Sequence, residues 1–452
     1  MKKTLLLTLA LGLVGASSLV AANTDVYITG ATAFRTSVYA ASQKLFSPAP
    51  TIYYGDAAHG GADSGFSSGT ASWVMTGTPI TGLTNLSGNT LTIHGLFTGS
   101  VQGVQTVEDG TKLLFPAASG TPGGLCSAYV TNSPTIGFSD ASSYATPFPA
   151  QGNIAEENVC VQPFVVVKSV PATGPVANIS NVSWEQLAFG IPNGRLPYSA
   201  WTGNEADTNQ YVYILERTLD SGTRRNFTAE NYFQYSDPAK VYIYDVTNNT
   251  WFVPTLLTNT LTGSSPNGVV GPAGLNNVNL NWGYGYVGGG DIRSSLARNN
   301  AANQAIAFLS IADAKSLTVG GSNWATVVSI SGFWPTAAGI GIRGNTGTND
   351  FSPITSGYYT AYGNEILVHL IDPSAGAGDQ NITQTQLGDQ NTPGSFLGVF
   401  NAQSLYNGGT LVTGSIENEI ELSKTGGATA IRLSDMRTSR PNVGGEIFPR
   451  VH

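Results

Sequence analysis

Apolar residues along this chain gather in short runs separated by long stretches of Gly, Ser, Thr and Asn. Val26-Tyr27-Ile28 reads as a strand, Thr29 to Phe34 as a small-residue turn, and Val38 to Ala41 as a helix. Strand, turn and helix in that order open a βαβ unit. Leu91 to Leu96 reads as a second strand that ends at Thr98-Gly99-Ser100, with a helix over Val101 to Val107. Thr135 to Phe138 is a third, ending in Ser139-Asp140. Pro163 to Val170 is apolar at nearly every position, the pattern of a strand buried on both faces. Val182 to Phe189 predicts a helix with Ser183 as cap and Gln186 three residues on, the capping-box spacing. Val212 and Ile214 alternate into Arg217, and a helix runs through Phe227 to Phe233. A strand and a helix lie within Ala301 to Leu317, and later strands cover Ala325 to Trp334 and Glu365 to Ile371. Beyond about residue 375 the chain is loop-rich, with helical pieces near Ser395 to Tyr406 and Ile431 to Arg437. No fixed-period repeat interrupts this order. The pattern predicts an α/β fold of two lobes, each a mixed sheet flanked by helices and carrying long polar loops.

The first 22 residues have the make-up of a secretory signal: Lys2 and Lys3, an apolar core from Leu5 to Val14, and a small-residue site at Val20-Ala21-Ala22. Cleavage there predicts a secreted or periplasmic chain beginning at Asn23, with neither membrane insertion nor a lipid anchor. A net charge of −8 weighs against nucleic acid and anionic membranes as partners. It leaves small anions open, because a local pocket decides their binding. At 452 residues, two domains are expected. Cys126 and Cys160 are the only cysteines, and export predicts a disulfide between them.

Several tempting motifs lack their structural setting. Gly65-Phe66-Ser67-Ser68-Gly69 matches a hydrolase nucleophile elbow, but loop precedes it instead of a buried strand. Two glycine patterns, Gly283 to Gly288 and Gly339 to Gly344, sit between no clear strand and helix. The four histidines, His59, His94, His369 and His452, show no ligand spacing, and His369 lies in an apolar run as a core residue. Asp63, Glu205, Asp207 and Asp220 form no acid/base pair. Neither an enzyme nor a cofactor is expected.

The loops that follow the strands carry a more consistent chemistry. Thr32-Ala33-Phe34, Gly99-Ser100 and Ser139-Asp140 follow the first three strands, and Arg217 with Ser221-Gly222-Thr223 comes from the second region. Ligands of open α/β sheets bind at the carboxyl ends of strands. Unpaired amides and the dipole of a helix start favour an anion there, and arginine adds a planar fork of donors.

This set resembles the phosphate-binding proteins of bacterial ABC uptake systems, which have the type II periplasmic-binding-protein fold. Four segments carry the resemblance: Gly30 to Phe34, Gly99 to Val104, Gly137 to Asp140, and Arg217 to Thr223. Asn178 to Trp201 and Asn303 to Ala314 are similar to later parts of the family. The resemblance implies a monomeric clamp closing on one oxyanion, delivered to an ABC permease. It implies amide donors at Ala33 and Phe34, hydroxyls at Ser100, Ser221 and Thr223, an amide at Gly222, and a guanidinium at Arg217. Asp140 would be the acceptor. A carboxylate welcomes monohydrogen phosphate, which brings a proton, and rejects sulfate, which has none.

The chain departs from the family in its length, in a Gly/Ser-rich insertion before Ser100, in Ala33 where threonine is usual, in Gln102, and in Arg224 and Arg225. The expected lobes are residues 23–165 with 357–452, and 166–356, joined by the crossing strands near Pro163 and Tyr358. The alternative from another class is a secreted surface or adhesive protein that keeps the fold without transport.

Overall fold

The computed structural model describes residues 22–56, 70–148, 152–170, 174–230, 240–245, 250–252, 304–316, 325–337, 350–375, 381–404, 407–424, 429–439 and 448–449, with short pieces between 278 and 296. Residues 1–21 of the signal-like segment, Gly65 to Gly69, Gly339 to Gly344, His59 and His452 lie outside the described residues, as do Gly283, Tyr284 and Val287 of Gly283 to Gly288.

A 12-stranded mixed sheet forms the frame. Its first strands are β1 (Asn23–Gly30), β2 (Thr51–Tyr54), β3 (Ser72–Gly77) and β4 (Thr90–Leu96). A separate hairpin follows, β5 (Leu113–Pro116) with β6 (Tyr129–Asn132), then β7 (Ile136–Ser139) and the 16-residue β8 (Ile154–Ser169). The second region supplies β9 (Asn181–Val182), β10 (Arg195–Pro197) and β11 (Tyr211–Leu215). Two small pairs come next, β12 (Ile243–Asp245) with β13 (Thr250–Phe252), and β14 (Val278–Asn279) with β15 (Gly285–Tyr286). Last in the main sheet are β16 (Ala305–Ser310), β17 (Ala325–Ile330) and β18 (Tyr362–Leu370).

Across the sheet the order is β10-β11-β16-β8-β18-β7-β1-β4-β3-β2. β1 is parallel to both β4 and β7, so their carboxyl ends share one edge. The helices that leave that edge are α1 (Arg35–Lys44) and α2 (Ser100–Glu108). In the second region lie α3 (Trp184–Asn193), α4 (Ser199–Thr202) and α5 (Gly222–Glu230). The capping box of α3 is present: the Ser183 hydroxyl accepts the Gln186 amide, and the Gln186 side chain accepts the Ser183 amide.

β8 explains why the sheet is continuous. Its second half, Phe164 to Ser169, lies between β16 and β17, which buries the run Val165-Val166-Val167 as its sequence demands. Its first half pairs antiparallel with β18, from Ile154↔Leu370 to Pro163↔Tyr362. That half reads as polar, with Glu156, Glu157 and Asn158, and the sequence pattern gave no strand there. Tertiary bonds override the pattern: the buried Glu157 carboxylate accepts the Gln390 amide at 2.9 Å and Asn401 Nδ2 at 2.8 Å. The C-terminal stretch thereby covers β8.

Among the described residues the two largest of four hydrophobic clusters lie along this sheet. One gathers residues from Val26 to Cys160 with Leu367 to Ala430. The other gathers Val161 to Tyr362 with Ile431, Leu433 and Met436. β8 and β18 pass from one core to the other.

The expected disulfide is absent: Cys126 and Cys160 are both free. The Cys126 amide bonds to Tyr54 O on the edge strand β2, whereas Cys160 lies in β8, six strands away. At about 4.8 Å per strand that separation is on the order of 25–30 Å, against the ~7 Å limit for a bridge.

Candidate functional site

The site lies where the edge formed by β1, β4 and β7 meets the start of α5. Gly99 N donates to Gly30 O at 3.0 Å, which joins the loops after β4 and β1. Gly103 of α2 lets the helix approach Gly30 and Phe138 closely, since a Cβ there would come to 2.7 Å from Gly30 Cα and Phe138 O. That approach seats Ser100, the first residue of α2, beside the end of β7. Ser100 Oγ then donates to Asp140 Oδ2 at 3.1 Å.

The opposite wall comes from the second region. Gly222, the first residue of α5, packs onto the Ser100–Asp140 pair: a Cβ there would lie 2.5 Å from Asp140 Cβ and 2.7 Å from Ser100 Oγ. Ser221 caps α5, its hydroxyl accepting the Arg224 amide at 3.3 Å and its carbonyl the Arg225 amide at 3.1 Å. The amides of Gly222 and Thr223 are the first-turn donors that this cap leaves over. Asn226, one turn along α5, donates to Asp140 O at 2.9 Å and ties the helix to the loop after β7.

Arg217 is buried at the end of β11, where its Nε donates to Tyr286 O at 3.2 Å. Its charge acts on Asp140 and on Asp220. The structure thus brings Ser100, Asp140, Arg217, Ser221, Gly222 and Thr223 into one buried neighbourhood. Ser139 is adjacent in sequence, but its hydroxyl is used in its own turn, donating to Ala141 O at 2.6 Å. Phe34 N closes a turn onto Ala31 O at 3.2 Å, so that amide is already engaged; Ala33 is buried and Thr32 half-buried in the same turn.

Asp140 is the acceptor within this group of donors. Burial pushes its carboxyl above the usual range, while bonds from Glu365 and Ser100 and the charge of Arg217 oppose the shift. Its Oδ1 has no hydrogen-bond donor among the described residues.

Sequence reasoning missed several neighbours. Arg224 and Arg225 are both buried: Arg224 Nη1 donates to Arg217 O at 2.9 Å, and Arg225 donates to Leu219 O at 3.1 Å and to Ala145 O. Glu216, before Arg217, accepts the Arg217 amide at 2.9 Å, and burial pushes it up to about 7. Glu365 on β18 is fully buried against Asp140. A polar residue inside the apolar run Ile366 to Leu370 and its flank was the available signal. Among the described residues no cluster of metal-ligating side chains occurs, and no helix is long and apolar enough to cross a membrane.

No family model matches the sequence, and no curated protein matches it. Solved structures do match in fold. One is described as a candidate phosphate ABC transporter substrate-binding protein with bound phosphate from Clostridium perfringens. It is 11% identical with a TM-score of 0.40, covering 90% of this chain and 99% of its own. An ABC-type phosphate transport receptor from Vibrio cholerae is 12% identical with a TM-score of 0.35, covering 77% and 88%. A phosphate-binding protein from Stenotrophomonas maltophilia is 12% identical with a TM-score of 0.32, covering 77% and 79%. Likeness at this level concerns the fold alone.

Proposed function

We propose that this chain is an exported solute-binding protein that holds a tetrahedral oxyanion bearing a proton, monohydrogen phosphate first, without catalysing a reaction. One observation carries this reading: the start of α5 is packed onto a buried carboxylate, Asp140, whose Oδ1 has no donor among the described residues. A fully ionised anion would leave that oxygen unpaired beside a like charge. An anion with its own O–H supplies the donor and turns its remaining oxygens to Ser100, Arg217, Ser221 and the amides of Gly222 and Thr223. Residues 23–165 with 357–452 would form one lobe and 166–356 the other, with β8 and β18 as the hinge. Removal of the first 22 residues would release the chain to the periplasm or outside the cell, where it acts as a monomer and hands its ligand to an ABC permease.

Calorimetric titration of the purified chain lacking residues 1–22 with phosphate and with sulfate tests the reading, with Arg217→Ala beside it. Phosphate is expected to bind at micromolar level or tighter, sulfate weakly, and the variant not at all. Silence with both anions in folded, ligand-stripped protein overturns the reading in favour of a surface role.

A further inference from the structure

Glu365 is 0% exposed, and neither of its side-chain oxygens has a donor among the described residues. It sits on β18 directly opposite Cys160 of β8, at a register shift between Glu365 and Ile366 that leaves Val159 as the extra residue of β8. Such bulges re-aim side chains beside functional sites. The antiparallel β18–β7 register, with Ile366 opposite Ser139, sets Glu365 beside Asp140, and the two carboxyls interact there.

Two carboxylates in contact away from water do not both ionise. The pair therefore holds a proton, and its surroundings decide which residue carries it. Asp140 has the Ser100 hydroxyl as donor and the Arg217 charge nearby, both of which favour its anion. Glu365 has neither. Burial and the adjacent Asp140 both push it well above the usual carboxylate range. The other ionisable groups in this neighbourhood are Asp313, which acts on Asp140, Cys160, which faces Glu365 and Asp140, and Glu417, which acts on Cys160. None of the three brings a positive charge.

We infer that Glu365 is a neutral carboxylic acid that donates to Asp140 and thereby determines which anions the site accepts. The inference rests on the oxyanion reading of the site and specifies what selects the ligand. With the proton on Glu365, Asp140 stays an acceptor and demands a hydrogen from the anion. With the proton on Asp140, the same residue becomes a donor, and a fully ionised anion such as sulfate satisfies it. A carboxylate offers about four acceptor positions, so Ser100, Glu365 and the ligand can share it. Glu365 is a positioning residue, acting on the anion through Asp140.

Two variants and two readouts test this. Glu365→Gln keeps a neutral donor and should preserve phosphate affinity within about threefold, together with the rejection of sulfate. Glu365→Leu removes the donor and should narrow the preference for phosphate over sulfate by about tenfold or more. Wild-type affinity should fall at alkaline pH as the pair loses its proton, whereas Glu365→Gln should hold its affinity there. Independently of any ligand, infrared difference spectra between wild type and Glu365→Gln at neutral pH should show a carboxylic-acid carbonyl band lost in the variant. If the band is missing while phosphate still binds, this inference alone falls. Loss of sulfate rejection in Glu365→Gln, or unchanged selectivity in Glu365→Leu, also overturns it. If wild type binds neither anion, the specificity role falls together with the function reading, and the band still reports the proton.

Discussion

Asp220 belongs to the loop that opens α5, yet its carboxylate accepts the Gln102 amide in the first turn of α2 at 2.7 Å. The Asp220 carbonyl accepts the neighbouring Val101 amide at 3.2 Å. One residue of the second region thus caps a helix of the first, and Gly99 has no side chain because a Cβ there would collide with that carboxylate.

This cap is costly when charged. Burial pushes Asp220 up to about 6, against bonds from the Gln102 and Val101 amides and the charges of Arg217 and Arg225 that lower it. Glu216 is pushed up to about 7 by the same cause. The folded chain therefore binds protons that the unfolded chain has released, and stability falls as pH rises from the ordinary carboxylate range through these values. Urea midpoints should be higher at pH 5 than at pH 8, with Asp220 contributing about 1–1.5 kcal/mol over that interval. Asp220→Asn should flatten that slope. A midpoint that climbs between pH 5 and pH 8 would contradict the assignment.

Gly222→Ala sets a methyl against Asp140 Cβ and Ser100 Oγ, at distances that no folded pair tolerates. We expect a cost of about 1–3 kcal/mol and loss of anion binding together. Gly103→Ala collides instead with the backbone of Gly30 and Phe138. It should lower the melting temperature, and titration at a temperature where it is folded should still detect ligand.

Glu157→Ala would leave the Gln390 amide and the Asn401 side chain without their acceptor, at about 1–3 kcal/mol for each group. The effect should appear as faster proteolysis of the stretch after residue 380, measured by mass spectrometry. A cleavage pattern identical to wild type would mean that other contacts hold this stretch.

Both thiols should be free. Alkylation of unreduced protein in denaturant should add two labels, and without denaturant Cys160, buried in the sheet, should react far more slowly than the half-exposed Cys126. A single intact disulfide by mass would overturn the separation of these residues across the sheet.

Much of this was legible where local chemistry and tertiary structure agree. Ser183 and Gln186 announce α3 because a capping box is complete within four residues. The run Phe164 to Val167 announces a buried strand because neighbours on both sides only reinforce it. The illegible parts depend on partners distant in sequence. The first half of β8 is a strand because residues near 390 and 401 satisfy Glu157. Arg224 and Arg225 have no role legible in the sequence, since nothing local reveals that Arg217 O, Leu219 O and Ala145 O receive them. Helix Ile416–Ser423 is hidden in the sequence because its polar residues mask the two core positions Ile416 and Ile420. The pairing of Glu365 with Asp140 joins β18 to β7, strands more than 220 positions apart in the chain.

That separation orders how the molecule can be made. The core that begins at Val26 is closed by Leu367 and by residues up to Ala430, and β7 has β18 as its neighbour. A chain emerging from the ribosome amino end first would leave both cores incomplete until β18 and the residues from Ala430 to Met436 appear. For most of synthesis an open sheet edge at β7 would face solvent, an invitation to wrong pairing. The earliest residues to appear would be among the last to settle, so a chaperone that holds the nascent chain would have most to protect at its beginning.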